Sequence, residues 1–250
     1  MPLRAPSLPI RNGHLLKQIF GLVPAGGVGA RMGADRPKQY LRLGSRSLLE
    51  RSLCCLLVDA RVVRVYVVVA PDDPHAPGLA LPERCEALAV GGATRAESVR
   101  NGLRAALPAM GKDAWVLVHD AARPCLAAGD LAALIDEGGR DEQGGLLAVP
   151  VSDTVKQAQG GQGARDARVA RTVDRSGLWR ALTPQFFPGQ LLLRALEAAG
   201  SATELTDDAS AVERLGLHPR LVAGDAGNIK VTAPGDLPLA EAVLRAQGRW

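Results

Sequence analysis

The sequence predicts an α/β chain: a mostly parallel sheet with helices on both faces. Short β-branched runs alternate with segments of helical period, the pattern left by strands joined through crossover helices. One run, Val62-Val63-Arg64-Val65-Tyr66-Val67-Val68-Val69, is almost wholly apolar, as a strand covered on both faces must be. The first apolar run ends in a cluster of glycines, the arrangement by which strand ends in open sheets receive ligands.

Taken in order, the clearest strands are 18–23, 62–70 and 115–119. Helical spacing predicts helices over 47–58, 94–107, 129–137, 188–199, 207–215 and 234–247. Residues 152–175 break the rhythm with two short polar-faced stretches around a Gly-rich turn, which reads as a protruding β-hairpin arm. Such an arm has little core of its own, and a second copy of the chain is the economical surface to cover it. Arg165, Arg168 and Arg171 read as a solvated basic edge that blunts strand pairing. Residues 1–17 carry Arg4, Arg11 and Lys17 with no acid, and read as a poorly ordered extension ahead of a single domain spanning 18–250.

Composition excludes several classes. Aromatic residues make up 3% of the chain, too few for a platform that stacks single-stranded nucleic acid. A net charge of +4 suits a phosphate pocket better than a DNA surface. The longest apolar runs fall short of the ~20 residues of a membrane helix, and the N-terminus lacks the apolar core of a secretory signal. The cysteines, Cys54, Cys55, Cys85 and Cys125, show no CxxC spacing; reduced thiols in a cytoplasmic protein are the expectation.

The first strand runs into Pro24-Ala25-Gly26-Gly27-Val28-Gly29-Ala30-Arg31-Met32-Gly33. Glycines at a strand's carboxyl end let backbone N–H groups converge on phosphate oxygens. The segment is not a dinucleotide fingerprint, because Met32 stands where the third small residue belongs, and it has no Gly-Lys-Ser/Thr closure. Arg31 and Lys38 add fixed cations suited to a triphosphate. The plainer reading is a glycine turn flanked by solvated basic residues.

Asp120 comes directly after the strand 115–119, where a carboxylate can hold Mg²⁺; read structurally, it is a helix N-cap or a partner for Arg123. His119 reads as structural. Lys230, in the short apolar stretch 228–231 expected to form a strand, either snorkels to solvent or faces a phosphate. Ser98 reads equally as a first-turn helix residue or a ligand contact. Thr206-Asp207-Asp208-Ala209 reads as a helix N-cap with acids in the first turn.

Gly-Gly-Val-Gly-Ala-Arg-Met-Gly and, just after it, Arg-Pro-Lys-Gln-Tyr resemble the opening signature of nucleoside-triphosphate-dependent nucleotidyltransferases. In detail the chain resembles the 2-C-methyl-D-erythritol 4-phosphate cytidylyltransferase family. The likeness continues through Val118-His119-Asp120-Ala121-Ala122-Arg123-Pro124, Thr172-Val173-Asp174-Arg175, Leu182-Thr183-Pro184-Gln185-Phe186-Phe187, Thr206-Asp207-Asp208-Ala209-Ser210 and Asn228-Ile229-Lys230-Val231-Thr232. The resemblance implies a Rossmann-like fold of nucleotide-diphospho-sugar transferase type. It implies joining of CTP to the polyol phosphate with loss of pyrophosphate and with Mg²⁺, in non-mevalonate isoprenoid synthesis.

By the same resemblance Arg31, Lys38 and Lys230 are catalytic, and Asp120 holds the metal. Ala25, Gly26, Gly27, Gly29, Gly92 and Ser98 contact the nucleotide. Arg123, Thr154, Arg175 and Thr183 serve the second substrate, with Thr154 and Arg175 reaching a neighbouring subunit's site from the arm of a homodimer. Relatives often carry an acid where this chain has Ala93, which touches base recognition. No nucleic acid or membrane partner is implied. The alternatives are a pentitol (ribitol) phosphate cytidylyltransferase, which resembles the family in its loop, and a catalytically silent nucleotide-binding protein.

Overall fold

The computed structural model describes residues 17–27, 37–159, 166–200 and 205–250. Its elements in chain order are β1 (Ile19–Pro24), β2 (Arg42–Leu43), β3 (Arg46–Ser47), α1 (Leu48–Leu57), β4 (Val62–Val68), β5 (Cys85–Leu88), α2 (Arg95–Met110), β6 (Trp115–Val118) and α3 (Ala128–Gly138). Next come β7 (Gly145–Pro150), β8 (Val155–Ala158), β9 (Val169–Val173), β10 (Trp179–Pro188), α4 (Gly189–Ala199), α5 (Asp208–Glu213), β11 (Arg220–Ala223) and α6 (Asp236–Ala246). Seven strands form one sheet in the order β11-β7-β10-β6-β1-β4-β5.

The sheet is mostly parallel, as expected: β1 lies between β4 and β6 and runs parallel to both, and β7 runs parallel to β11. Strand β10 is the exception, antiparallel to both β6 and β7. Its register shifts between Ala181 and Gln185, where Pro184 has no N–H to give the ladder. Sequence reading did not single out β5, β7, β10 or β11. The edge strands β5 and β11 are short and half-exposed, so they lack the unbroken apolar run that marked β4.

Each face of the sheet buries its own core. Leu49, Leu53 and Leu56 of α1 join Leu131 and Leu134 of α3 on one side; Val99, Leu103 and Leu107 of α2 join Leu192 and Leu196 of α4 on the other. Three helices begin at capping boxes, Ser47 with Glu50, Thr94 with Glu97 and Asp207 with Ser210. In each, side chain and backbone satisfy one another's orphan donors. Helix α2 continues past its expected end to Met110, through Pro108, because Leu107 and Met110 are both buried there.

The stretch 228–231 is not a strand, correcting the expectation; it follows a turn closed by Asn228 N–H on Asp225 O, and its Val231 N–H donates to Ala122 O at 2.8 Å. Strands β8 and β9 pair antiparallel as a separate two-stranded ribbon, while the expected Gly-rich turn between them lies partly outside the described residues. Of the N-terminal extension only Lys17 is described; its ammonium stands 3.8 Å over the Trp115 ring and donates to Gly139 O. No helix among the described residues is long and apolar enough to cross a membrane.

Candidate active site

The carboxyl ends of β1 and β6 meet at a cavity of about 570 Å³. Its described walls come from Ala25, Gly26 and Gly27 after β1, Gly92 to Arg95 and Ser98 at the start of α2, Asp120 after β6, and Lys38, Lys230 and Thr232. The predicted residues Ala25, Gly26, Gly27, Lys38, Gly92, Ser98, Asp120 and Lys230 are therefore brought together. Arg31 and Gly29 lie outside the described residues.

The glycine turn is braced by a residue that sequence reading passed over. Gln39, in the short 3-10 turn Lys38–Tyr40, is buried and donates from Nε2 to Ala25 O at 2.6 Å and to Gly27 O at 3.0 Å. One amide thus holds both carbonyls of the turn and places Lys38 beside it. On the opposite wall, Ser98 Oγ accepts the Gly92 N–H at 3.1 Å and donates to Thr94 O at 2.9 Å. A side chain at Gly92 would drive its Cβ to 2.4 Å from the Glu97 Cβ, so the turn closes only on glycine. Ser98 is both a first-turn helix residue and the brace of this wall.

Asp120 is the electrostatic centre. Its Oδ1 accepts from Arg95 Nε at 2.9 Å, and its Oδ2 lies 2.7 Å from Lys230 Nζ and 3.7 Å from Arg123 Nε. Burial alone would raise the carboxyl; Arg95, then Lys230 and Arg123, outweigh it and hold Asp120 well below the usual carboxylate range. Lys38 Nζ reaches Val231 O at 3.3 Å, so both lysines converge on the same segment of chain. The outcome is a cavity whose described lining carries one anion, Asp120, among several cations, suited to a polyanionic ligand.

Behind Asp120 the ring of His119 and the hydroxyl of Thr183 engage one another and the backbone. His119 is buried, and burial pushes its imidazole down to about 4. Its Nε2 faces the Arg123 carbonyl at 3.0 Å, an acceptor only, so Nε2 carries the proton and Nδ1 accepts from the Thr183 hydroxyl at 3.0 Å. The structural reading of His119 holds. Thr183 Oγ1 also accepts the Asp120 N–H at 3.1 Å; Thr183, expected at the second substrate, is buried and does not line the cavity.

Arg123, expected at the second substrate, is buried behind Asp120 and does not line the cavity. Its Nη1 donates to Asn228 O at 2.6 Å, while Asn228 Nδ2 donates to Thr183 O at 2.8 Å, tying the Lys230 segment to β10. Thr154 and Arg175 stand exposed at the base of the β8–β9 ribbon, away from this cavity; Arg175 Nη1 donates to Ser152 O.

Sequence reading also missed Arg95. In the sequence it is only part of a turn, and the fold carries it onto Asp120. Asp208, read as an N-terminal helix acid, is buried and paired to the same Arg95 at 2.8 Å. The only trace in the sequence is position: Arg95 and Asp208 are each the first residue after a capping residue, Thr94 and Asp207.

A glycine turn, converging lysines and a single ionised carboxylate at the carboxyl edge of a mostly parallel sheet define a nucleotidyltransferase. A family profile described as 2-C-methyl-D-erythritol 4-phosphate cytidylyltransferase matches residues 19–246. The enzyme of that description from Laribacter hongkongensis is 55% identical over 231 residues, covering 92% of this chain and 97% of the relative. The one from Dechloromonas aromatica is 51% identical, covering 91% and 98%. Among solved structures, a 4-diphosphocytidyl-2C-methyl-D-erythritol synthase superposes with a TM-score of 0.79 at 42% identity, covering 92% of this chain and all of that one. The Francisella tularensis cytidylyltransferase superposes at 0.76 and 30% identity, covering 91% of this chain and all of that one. The chain belongs to the 2-C-methyl-D-erythritol 4-phosphate cytidylyltransferase family. Its activity is the family's cytidylyl transfer, which decides against the pentitol phosphate and silent-binder alternatives.

Proposed function

We propose that the chain carries out this transfer by direct attack at the cavity that gathers the glycine turn, Lys38, Asp120 and Lys230. The observation that carries the assignment is the convergence of both lysines and the ionised Asp120 on one wall. An oxygen of the polyol phosphate bonds to the α-phosphorus of CTP as the bond from that phosphorus to the bridging oxygen breaks, and pyrophosphate leaves with the electron pair. The attacking phosphate is already ionised, so no side chain need remove a proton, in keeping with a neutral, fully engaged His119.

Gly26, Gly27, Gly92 and Ser98, with Gly29, hold the nucleotide; Lys38, Lys230 and Arg31 stabilise charge that builds on the phosphates during transfer. Asp120 is the residue that would hold Mg²⁺. A lone carboxylate fits that ion, which takes one or two protein carboxylates and completes its shell with substrate phosphates and water; among the described residues there is no cluster of three acidic, His or Cys ligands to suggest another site. When bound, Mg²⁺ neutralises phosphate charge.

The working form is a homodimer in the cytoplasm, a single domain over 18–250 with the arm 152–175 crossing to its partner. Three observations support the crossing: Thr154 and Arg175 stand away from their own cavity, the described ribbon residues have no core of their own, and Val169 on the ribbon and Leu178 and Trp179 just after the arm are exposed. In that form Arg175 binds the substrate phosphate and Thr154 its hydroxyls, while Thr183 acts from behind by holding the Asp120 backbone N–H. Steady-state kinetics of Lys38→Ala and Arg31→Ala test the assignment. Each should lower kcat by roughly 100-fold or more while CTP binding weakens far less; unchanged kcat in both would remove them from the transition state.

A further inference from the structure

We infer that Arg95 and Asp208 form a positioning relay for Asp120, so that the carboxylate's hold on the divalent cation depends on a buried acid one helix away. This rests on the assignment of Asp120 as the metal-holding residue. Arg95 is the first residue of α2 and Asp208 the first of α5; the two helices lie on the same face of the sheet and share one core with α4. The guanidinium uses different donors on the two acids, Nε on Asp120 at 2.9 Å and Nη2 on Asp208 at 2.8 Å. A planar guanidinium held at both places has its orientation fixed, and with it the direction from which Asp120 Oδ1 is engaged. Oδ2 is left on the side of Lys230.

Asp208 is itself held firmly. Gln185 of β10, fully buried, accepts the Ala209 N–H at 2.8 Å and donates to Asp207 Oδ2 at 2.8 Å. This clamps the first turn of α5 to the sheet at the strand that also carries Thr183. The sheet therefore grips Asp120 twice, through the Thr183 hydroxyl on its backbone N–H and through Gln185, α5, Asp208 and Arg95 on its side chain.

Stability does not account for this arrangement. Asp208 is 1% exposed, and its Oδ1 has no hydrogen-bond partner among the described residues. A buried ion pair with an unsatisfied oxygen commonly stabilises less than apolar packing of the same volume. Placement of Arg95 is what the buried acid supplies. It also shares Arg95 between two carboxylates, so the arginine does not spend all its donors on Asp120.

The test uses the full chain carrying Asp208→Asn or Arg95→Lys, with Asp120→Asn beside them. Mn²⁺ is titrated into each protein in the presence of CTP, with free Mn²⁺ tracked by electron paramagnetic resonance. Thermal unfolding and steady-state kinetics at varied Mg²⁺ accompany the titration. Both relay variants should weaken Mn²⁺ binding about 10-fold and raise the Mg²⁺ concentration for half-maximal rate by a similar factor, with KM for the polyol phosphate unchanged. Arg95→Lys keeps the charge but loses the planar bridge, and it carries the test if Asp208→Asn does not fold. Wild-type Mn²⁺ binding in the relay variants, with only the melting temperature lowered, overturns the relay while Asp120→Asn still binds weakly. Unchanged binding in Asp120→Asn as well overturns the metal assignment and the relay with it.

Discussion

Lys230 Nζ lies 2.7 Å from Asp120 Oδ2, so the lysine proposed to act on the substrate's phosphates rests on the carboxylate proposed to hold their metal. The lysine side chain is 40% exposed against 9% for the aspartate, and it is the partner able to move. On the proposed assignment, binding of a metal–triphosphate complex would exchange one ion pair for two, with Asp120 holding the cation and Lys230 the phosphate. Removing the carboxylate therefore has opposite effects with and without metal. In EDTA, Asp120→Asn should bind CTP about 5-fold more tightly, since a negative charge near the triphosphate is gone, an effect of roughly 1 kcal/mol. In Mg²⁺ it should bind more weakly than wild type. Isothermal calorimetry under both conditions checks the reversal, and a change of the same sign in both would contradict it.

Gln39 makes a second prediction. Its amide holds the carbonyls of Ala25 and Gly27, and Gln39→Leu removes both bonds at similar volume. Losing about 1.4 kcal/mol of this bracing corresponds to a roughly 10-fold rise in the CTP dissociation constant. Gln39→Glu should be worse, because a carboxylate would face two carbonyl oxygens. Calorimetric titration with CTP measures both; wild-type affinity in Gln39→Leu would show the turn holds its shape unaided.

The buried His119 sets a pH dependence of stability. Its folded value is pushed from 6.5 to about 4, so the unfolded chain takes up the proton first as pH falls. Stability contributed by the neutral ring is fully present above about 6.5, declines as pH drops, and reaches its full loss below about 4. The loss amounts to about 3 kcal/mol. Metal-free urea unfolding at several pH values should show this slope in the wild type and a shallower one in His119→Asn. Using the difference between the two removes the carboxylates common to both. Parallel curves would mean the ring is not held neutral.

The arm is tested by mixing. If Arg175 serves the neighbouring subunit, Lys230→Ala and Arg175→Ala proteins, each nearly inactive alone, should regain about a quarter of wild-type rate after co-refolding at equal amounts. Half the dimers are then mixed and each has one intact site. Activity that stays at the level of the parents would place Arg175 at its own subunit's site or outside it.

Much of this was legible in the sequence because the chemistry sits at strand ends. β1 and β6, and β4 from Val65 onward, are buried on both faces and announce themselves as apolar runs. The residues just beyond β1 and β6, Gly26-Gly27 and Asp120, fall on the ligand edge by topology. The helix starts near Ser47, Thr94 and Asp207 were readable from helical spacing, and the last also from its acidic N-cap. Residues acting across the fold were not readable. Gln39 reaches the glycine turn, and Arg95 reaches Asp120 and Asp208, only once β1, β6 and β10 stand side by side. The 228–231 segment looked like a strand because it is a short, mostly apolar run; Val231 is buried and Ile229 partly so, and the segment is held by side chains of Arg123 and Asn228 rather than by a ladder. β10 was obscured by the Thr-Pro step that shifts its register.

The most direct measurement is pyrophosphate release from CTP in Mg²⁺, with 2-C-methyl-D-erythritol 4-phosphate or ribitol phosphate as acceptor, in wild type and Lys230→Ala. Release with the methylerythritol phosphate alone, reduced about 100-fold or more in the variant, is the predicted result. Equal release in wild type and Lys230→Ala, or release with ribitol phosphate only, would contradict the account of how this site works and on what.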